Sequence, residues 1–179
     1  MTLQKLTAIA FACAIIGILP SAHAQDNDDA GAITARVHGT FQDSTGGLGV
    51  LSGDMTISRF EVQNGAIVAI GQIVGALADS AGNPLGRVDQ SLTLPVSNVA
   101  SSCNQLRMDL SAADAEVLQT PIHFDQQVAG FDSRDGMVPK ALAVLCTASE
   151  LLRGQPAPDA LAQALNHVAL AAAAAAPAK

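Results

Sequence analysis

The dipeptide Asn64-Gly65 stands between two runs suited to extended structure, and it constrains the fold more than any other feature of the chain. GDMTISRFEVQ precedes the dipeptide and AIVAIGQIVGAL follows it. Asn-Gly is the favoured sequence of a two-residue type I′ turn, whose twist matches that of two antiparallel strands. The sequence therefore predicts a long β-hairpin that turns at this dipeptide.

Counting outward from the turn predicts which residues of the two strands face each other. The predicted pairs are Val62 with Ile67, Phe60 with Ala69 and Thr56 with Ile73 on one side, and Arg59 with Ile70, Ile57 with Gln72 and Met55 with Val74 on the other. The second strand is largely apolar on both sides. This is typical of a strand covered by the core on one side and by a helix or a second sheet on the other.

The second strand of this hairpin also contains the spacing Gly71-x-x-x-Gly75. In a membrane helix this spacing would indicate a packing face, but the apolar run has only 13 residues, from 66 to 78, and a membrane helix needs about 20. In a strand, the two glycines and Ala69 share one face, which forms a flat strip that another backbone or a helix could approach closely. The sequence leaves open whether the protein's own helix or a ligand fills this strip.

Turn-forming residues divide the rest of the chain into further extended segments. The predicted strands, with a loop at 43–49 and a turn at Asn83-Pro84, are 33–41, 88–95, 103–110 and 120–131. In the last of these, Ile122 and Phe124 alternate with polar residues, and Val128 continues the apolar alternation after a break. The segment SAADAEVL, at 111–118, favours one helical turn.

Two helices are predicted after these strands. Pro139 and Gly154 are typical start and stop signals of the first helix. Its apolar stripe consists of Leu142, Leu145, Cys146, Ser149 and Leu152. After a linker at 155–158, the segment DALAQALNHVALAAAAAAPAK predicts an alanine-rich helix. Because its larger apolar residues form only a thin stripe, we expect this helix to dock weakly or fray.

The first 24 residues, MTLQKLTAIAFACAIIGILPSAHA, have the layout of a secretory signal peptide. A lysine precedes an apolar run and a proline, and the triplet Ala22-His23-Ala24 fits a cleavage site. We expect cleavage between Ala24 and Gln25, which leaves an acidic leader at 25–32. The prediction is an exported protein, periplasmic or extracellular.

Charge argues against several classes of partner. Of the 9 basic and 16 acidic residues, cleavage would remove only Lys5. The remaining cations are scattered singly, so a basic patch for a phosphate backbone is missing and we expect no nucleic acid partner. The same charge disfavours anionic membrane surfaces. The apolar run of the signal is too short for a membrane helix, so we expect no membrane span in the mature chain.

Two cysteines remain after cleavage, Cys103 and Cys146. An even count in an exported chain predicts a disulfide, because the periplasm and the exterior are oxidising. This bond would pin the predicted helix at 139–153 to the strand that starts at Cys103. Two alternatives stay open: two separately buried thiols, or a redox-active pair that lacks the Cys-x-x-Cys spacing.

Three segments carry a resemblance. They are Cys103-x-x-Leu106 followed by Met108 and Leu110, the helical ALAVLC that ends at Cys146 and leads into LL-x-Gly, and the glycine-punctuated strand VAIGQIVGAL. They resemble a group of uncharacterised secreted bacterial proteins that pair a Cys-x-x-Leu strand with a Leu-rich helix bearing a second Cys. The resemblance implies export, a disulfide and a β-rich domain, and it implies no particular chemistry.

Only one constellation of residues suggests chemistry. His123 and Asp125 flank Phe124 and share one face of a predicted strand, where they could hold a metal or form an acid–base pair if His38 came near. We prefer an exposed polar face opposite Ile122 and Phe124, because no third ligand has a diagnostic spacing. The sequence therefore nominates no catalytic, cofactor-binding or metal-binding residue.

These patterns together predict a mainly β domain at 33–154, followed by a linker and an alanine-rich helical tail at 155–179. The domain is a sandwich or a partly open barrel of about six strands with one disulfide-tethered helix. The favoured function is a non-enzymatic binding or structural module for an apolar ligand or a protein partner. The alternative is a hydrolase with a dispersed site at His38, His123 and Asp125.

Overall fold

The computed structural model describes residues 32–132 and 139–175. The predicted signal peptide, its cleavage site and most of the acidic leader lie outside these residues. The elements of the described chain are β1 (Ile33–Gln42), β2 (Leu48–Gln63), β3 (Ala66–Ala78), β4 (Pro84–Ser101), β5 (Gln105–Leu110), β6 (Ala113–Val117), β7 (Thr120–Phe124), β8 (Gln127–Asp132), α1 (Pro139–Arg153) and α2 (Pro158–Ala175).

Antiparallel pairing joins the strands of the described chain into one sheet in the order β2, β3, β4, β5, β8, β1, β7, β6. β1 also pairs with β2 along its whole length, so β1, β2, β3, β4, β5 and β8 close into a ring. The other edge of β1 is shared between β8 and β7, and β7 forms a hairpin with β6. The predicted mainly β fold is confirmed, and it takes the form of a closed ring of six strands with an added β6–β7 hairpin, rather than a sandwich or a partly open barrel.

The inner face of the ring is apolar, because alternate residues of each strand point inward. β1 shows the pattern: Ile33, Ala35, Val37 and Phe41 are buried, whereas His38 is exposed. The largest fully buried side chains of the other strands are Leu51, Met55, Ile73, Leu94, Leu106, Met108, Leu110, Ile122 and Phe124. The core therefore fills the ring, and the outer face carries polar side chains together with exposed apolar ones such as Leu48, Val50 and Val74.

Glycines lie on the inner side of the β2–β3 pair, where the two backbones come very close. Gly53 faces Gly75, and a Cβ on Gly75 would lie 2.5 Å from the carbonyl oxygen of Ser52. A Cβ on Gly71 would clash with the carbonyl oxygen of Thr56. The backbone of β2, rather than a helix or a ligand, thus fills the strip predicted at Gly71 and Gly75. The missing Cβ atoms let the sheet bend enough to close.

The predicted hairpin turns at Asn64 and Gly65, whose φ angles of 54° and 79° suit a type I′ turn. The predicted partners of Arg59, Phe60 and Val62 are confirmed. A β-bulge between Ile57 and Arg59 then shifts the register by one residue. The predicted pairs beyond the bulge are wrong for this reason, and the observed pairs are Ile57 with Gly71, Thr56 with Gln72 and Met55 with Ile73.

Strand β4 is longer than predicted, since it continues past Pro95 to Ser101. Its pairing with β3 ends at Pro95, which lies opposite Val68, and its pairing with β5 begins at Val96. The proline therefore lies where one partner strand replaces the other. Proline has no N–H to donate to a neighbouring strand, and the lost hydrogen bond costs little stability where the partner strand changes. The strand therefore continues past Pro95.

Two predictions for the segment between β5 and α1 are wrong. Residues 111–118, predicted as a helical turn, contain strand β6, because β7 offers a hairpin partner. Val128, which the predicted apolar alternation included after Ile122 and Phe124, is 44% exposed. The break between β7 and β8 changes the phase of alternation, so Ala129 and Phe131 face the core instead.

The two helices pack against each other, and α2 also lies against β2. A disulfide joins Cys146 of α1 to Cys103 in the turn before β5, as predicted. Leu165 and Val168 of α2 are fully buried, together with the small side chains of Ala162, Ala169 and Ala172. The expectation of weak docking is wrong for this part of α2, because alanines allow close backbone approach. Neither helix has the length and hydropathy needed to cross a membrane within the described residues.

Candidate functional site

The candidate functional site is a groove of about 290 Å³ on the outside of the ring, which we call the outer groove. It lies between the end of β1, the start of β2 and the β6–β7 hairpin. Its lining consists of Thr40, Phe41, Gln42, Leu48, Asp114, Pro121, Ile122 and His123. Phe41 and Ile122, whose side chains are buried, are among these residues, whereas Leu48 is 71% exposed.

Strand register places the lining residues side by side. Thr40 pairs with His123 on β7 and with Val50 on β2, and Gln42 pairs with Leu48. Alternation turns these side chains to the outer face of the sheet. The groove is therefore built on paired strands, which hold its walls more firmly than loops would.

One polar pair forms part of the groove wall. His123 Nδ1 lies 2.7 Å from Asp114 Oδ1, and the two residues face each other in the β6–β7 register. Their side chains are 54% and 83% exposed. This contact fixes the imidazole ring through one nitrogen and leaves the second nitrogen available to a ligand.

The structure places the residues of the predicted dispersed site on one face without joining them. His38 Nδ1 lies 3.2 Å from Ser52 Oγ, and the backbone N–H of Asp125 donates to the His38 carbonyl oxygen at 3.3 Å. His123 binds Asp114 instead of Asp125. Within residues 32–132 and 139–175, no group of three or more His, Cys, Asp or Glu side chains could hold a metal ion.

Asp114 is the site residue that the sequence reasoning missed. It belongs to β6, which was predicted as a helical turn, so its position opposite His123 could not be foreseen. The alternation of Ala113, Ala115 and Val117 with acidic residues was the signal of a strand. The connecting turn at Leu118 and Gln119 has positive φ angles of 49° and 65° without a glycine, which weakened the hairpin signal.

Asp43 holds the loop at 43–47, which joins β1 to β2 beside the groove. Asp43 Oδ1 accepts hydrogen bonds from the N–H groups of Thr45 and Gly47, both at 2.9 Å. Asp43 Oδ2 accepts a bond from the N–H of Ser80 at 3.0 Å, which ties the loop to the β3–β4 turn. Hydrogen bonds from Ser80, chiefly from its side chain, and from Thr45 hold the pKa of Asp43 far below its usual range.

A second, smaller pocket of about 190 Å³ lies between the helices, and we call it the interhelical pocket. It is lined by Val144, Thr147, Ala148, Leu151, Ala164 and His167. It lacks an acidic or basic side chain other than the histidine, so it offers less for specific recognition than the outer groove.

No family model, curated protein or solved structure matches the chain. The resemblance to secreted proteins with a Cys-x-x-Leu strand therefore stays a prediction. The proposal for the function therefore rests on the geometry of the described residues.

Proposed function

We propose that the protein is an exported, non-enzymatic module that binds a small ligand with an apolar body in the outer groove. The observation that carries the proposal is the composition of the groove. The apolar residues Phe41, Leu48, Pro121 and Ile122 line it together with the hydrogen-bonded pair of His123 and Asp114. An apolar concavity with a few polar groups is the usual form of a small-molecule site.

The exposure of Leu48 supports a bound ligand rather than a structural role for the groove. Its side chain is 71% exposed, and Val50 on the same strand face is 44% exposed. A ligand that covers them removes apolar surface from water, which is favourable by about 25 cal/mol per Å². The small volume of the groove suits weak to moderate affinity.

Export is part of this proposal. The disulfide between Cys103 and Cys146 is of the kind that persists in oxidising compartments. The signal-like segment at 1–24 supports the same location, with cleavage between Ala24 and Gln25. N-terminal sequencing of exported protein tests this part, and a chain that begins at Met1 would contradict it.

Binding is tested by titration with hexanol, a neutral probe with an apolar body, followed by nuclear magnetic resonance. Leu48→Ser should weaken hexanol binding about fivefold, since about 1 kcal/mol of apolar contact is lost. Leu85→Ser is the matched control, because Leu85 is 56% exposed and lies outside the groove. Equal affinities of the two variants, or no binding to the native protein, would overturn the proposal.

A hydrolase is the second candidate, favoured by the 3.2 Å hydrogen bond between His38 Nδ1 and Ser52 Oγ. Asp125 follows β7, and its backbone N–H donates to the His38 carbonyl oxygen, so a carboxylate residue neighbours the His38–Ser52 pair and the residue types used in acyl transfer lie close together. The test is the hydrolysis of a nitrophenyl ester. Ser52→Ala should abolish the activity and Ser97→Ala, on β4, should retain it. Equal rates in both variants would rule out this site.

A further inference from the structure

We infer that the ligand of the outer groove carries a cationic head group, such as an ammonium, beside its apolar body. This inference rests on the proposed function and specifies the class of ligand. It starts from the carboxylate in the groove wall. Asp114 has an 83% exposed side chain, and His123 contacts only its Oδ1 atom.

A second carboxylate lies close to the first. Glu116 stands two residues further along β6 on the same face, and it pairs with Pro121, which also lines the groove. Asp114 lines the groove, and Glu116 lies just outside its lining on the same strand face. Both carboxylates contribute negative charge on this side of the groove.

The lining of the groove supplies no permanent cation. None of its lining residues is lysine or arginine, and Arg36, further along β1, pairs with Asp54 of β2 at 3.9 Å. Asp114 is the carboxylate among the lining residues. An anionic ligand would find no charge partner there, whereas a cationic head can pair with Asp114 while its apolar part covers Leu48.

A metal ion fits the wall less well than an organic cation. In the part of the chain that the structure describes, no set of three potential metal ligands converges, and Asp114 and His123 are the potential ligands among the lining residues of the groove. Hard divalent cations need several oxygen ligands. An alkylammonium needs one carboxylate and an apolar surface, and the groove provides both.

The test compares three probes that share one apolar body: hexylammonium, hexanol and hexanoate. Each is titrated into the protein at low ionic strength and about pH 8, where free imidazole is neutral. We expect hexylammonium to bind about threefold to fivefold more tightly than hexanol, as for an exposed ion pair, and hexanoate to bind more weakly than hexanol.

Two variants test whether the preference for hexylammonium comes from Asp114. Asp114→Asn should abolish the preference for hexylammonium over hexanol. Asp89→Asn should keep it, because Asp89 is an exposed carboxylate on β4 that binds Gln72 away from the groove. If hexanol and hexylammonium bind equally, or if Asp114→Asn keeps the preference, the inference is wrong and the proposed function stands. If none of the three probes binds, the proposed function fails as well.

Discussion

The side-chain amide of Asn166, in α2, binds both backbone polar groups of Phe60, in β2. Asn166 Oδ1 accepts from the Phe60 N–H at 2.7 Å, and Asn166 Nδ2 donates to the Phe60 carbonyl oxygen at 2.9 Å. The pairing of β1 with β2 ends where Ile33 meets Ile57, so among the described residues no strand pairs with this edge of β2 at Phe60. The side-chain amide makes the two backbone hydrogen bonds that a neighbouring strand would make, and so it protects this part of the sheet edge from pairing with another chain.

Replacement of Asn166 by alanine should destabilise the protein by about 1 to 3 kcal/mol, because two half-buried backbone groups lose their partners. Urea unfolding followed by circular dichroism measures the change. Gln163→Ala is the control, since Gln163 is exposed on the same helix. Equal stability of the two variants would show that the amide contributes nothing to the edge.

Gly75→Ala should destabilise the ring by about 1 to 3 kcal/mol, since the new methyl group would meet the carbonyl oxygen of Ser52 at 2.5 Å. Gly86→Ala provides a matched comparison on β4, because no atom lies within 4 Å of its Cβ position. The control should be neutral or slightly stabilising. Thermal unfolding of both variants measures the change in stability. A Gly75→Ala variant as stable as the native protein would contradict the close approach of β2 and β3.

Removal of the disulfide should lower the free energy of unfolding by about 2 to 4 kcal/mol, as expected for a cross-link between residues 43 positions apart. The double variant Cys103→Ser and Cys146→Ser and the reduced native protein should agree. Unfolding curves with and without reductant measure the effect. Identical curves would mean that the bond does not constrain α1.

Stability should fall in acid because the pKa of Asp43 is held down by Ser80 and Thr45, and that of Asp79 by the side chain and backbone of Asn83. Below the ordinary aspartate value of about 4, the unfolded chain takes up protons that the folded chain refuses, so unfolding becomes easier as pH drops. Asp43→Asn should melt lower than the native protein at neutral pH, and the difference should narrow below about pH 4. A difference that is constant with pH would exclude this role of Asp43.

Local patterns predicted those parts of the fold that depend on neighbours in sequence. The turn at Asn64 and Gly65 and the alternation of β1 follow from short-range rules, and they were found as predicted. The bulge next to Ile57 was missed although β2 carries its signal, because Met55 and Ile57 are buried and the next buried residue is Phe60, so that the alternation changes phase at Ser58. Closure of the ring could not be predicted from local patterns either, because it depends on pairing between strands that are far apart in sequence.

The candidate site was only partly predictable for a related reason. His123 was recognised as a polar residue on a strand face, but its partner Asp114 lies in an alanine-containing segment whose composition favours helix. Pairing with β7 overrides that preference. Asn166 looks like an ordinary exposed residue of a helix, and its role exists only because a strand edge 106 residues away needs a partner.

Mapping of hexanol binding by two-dimensional amide nuclear magnetic resonance tests the central claim most directly. If the outer groove is the binding site, the amide signals that shift on titration should cluster at Gln42, Leu48 and His123. Signals of the interhelical pocket, at Thr147 and His167, should stay in place. Shifts confined to the interhelical pocket, or no shifts at all, would contradict the assignment of the outer groove.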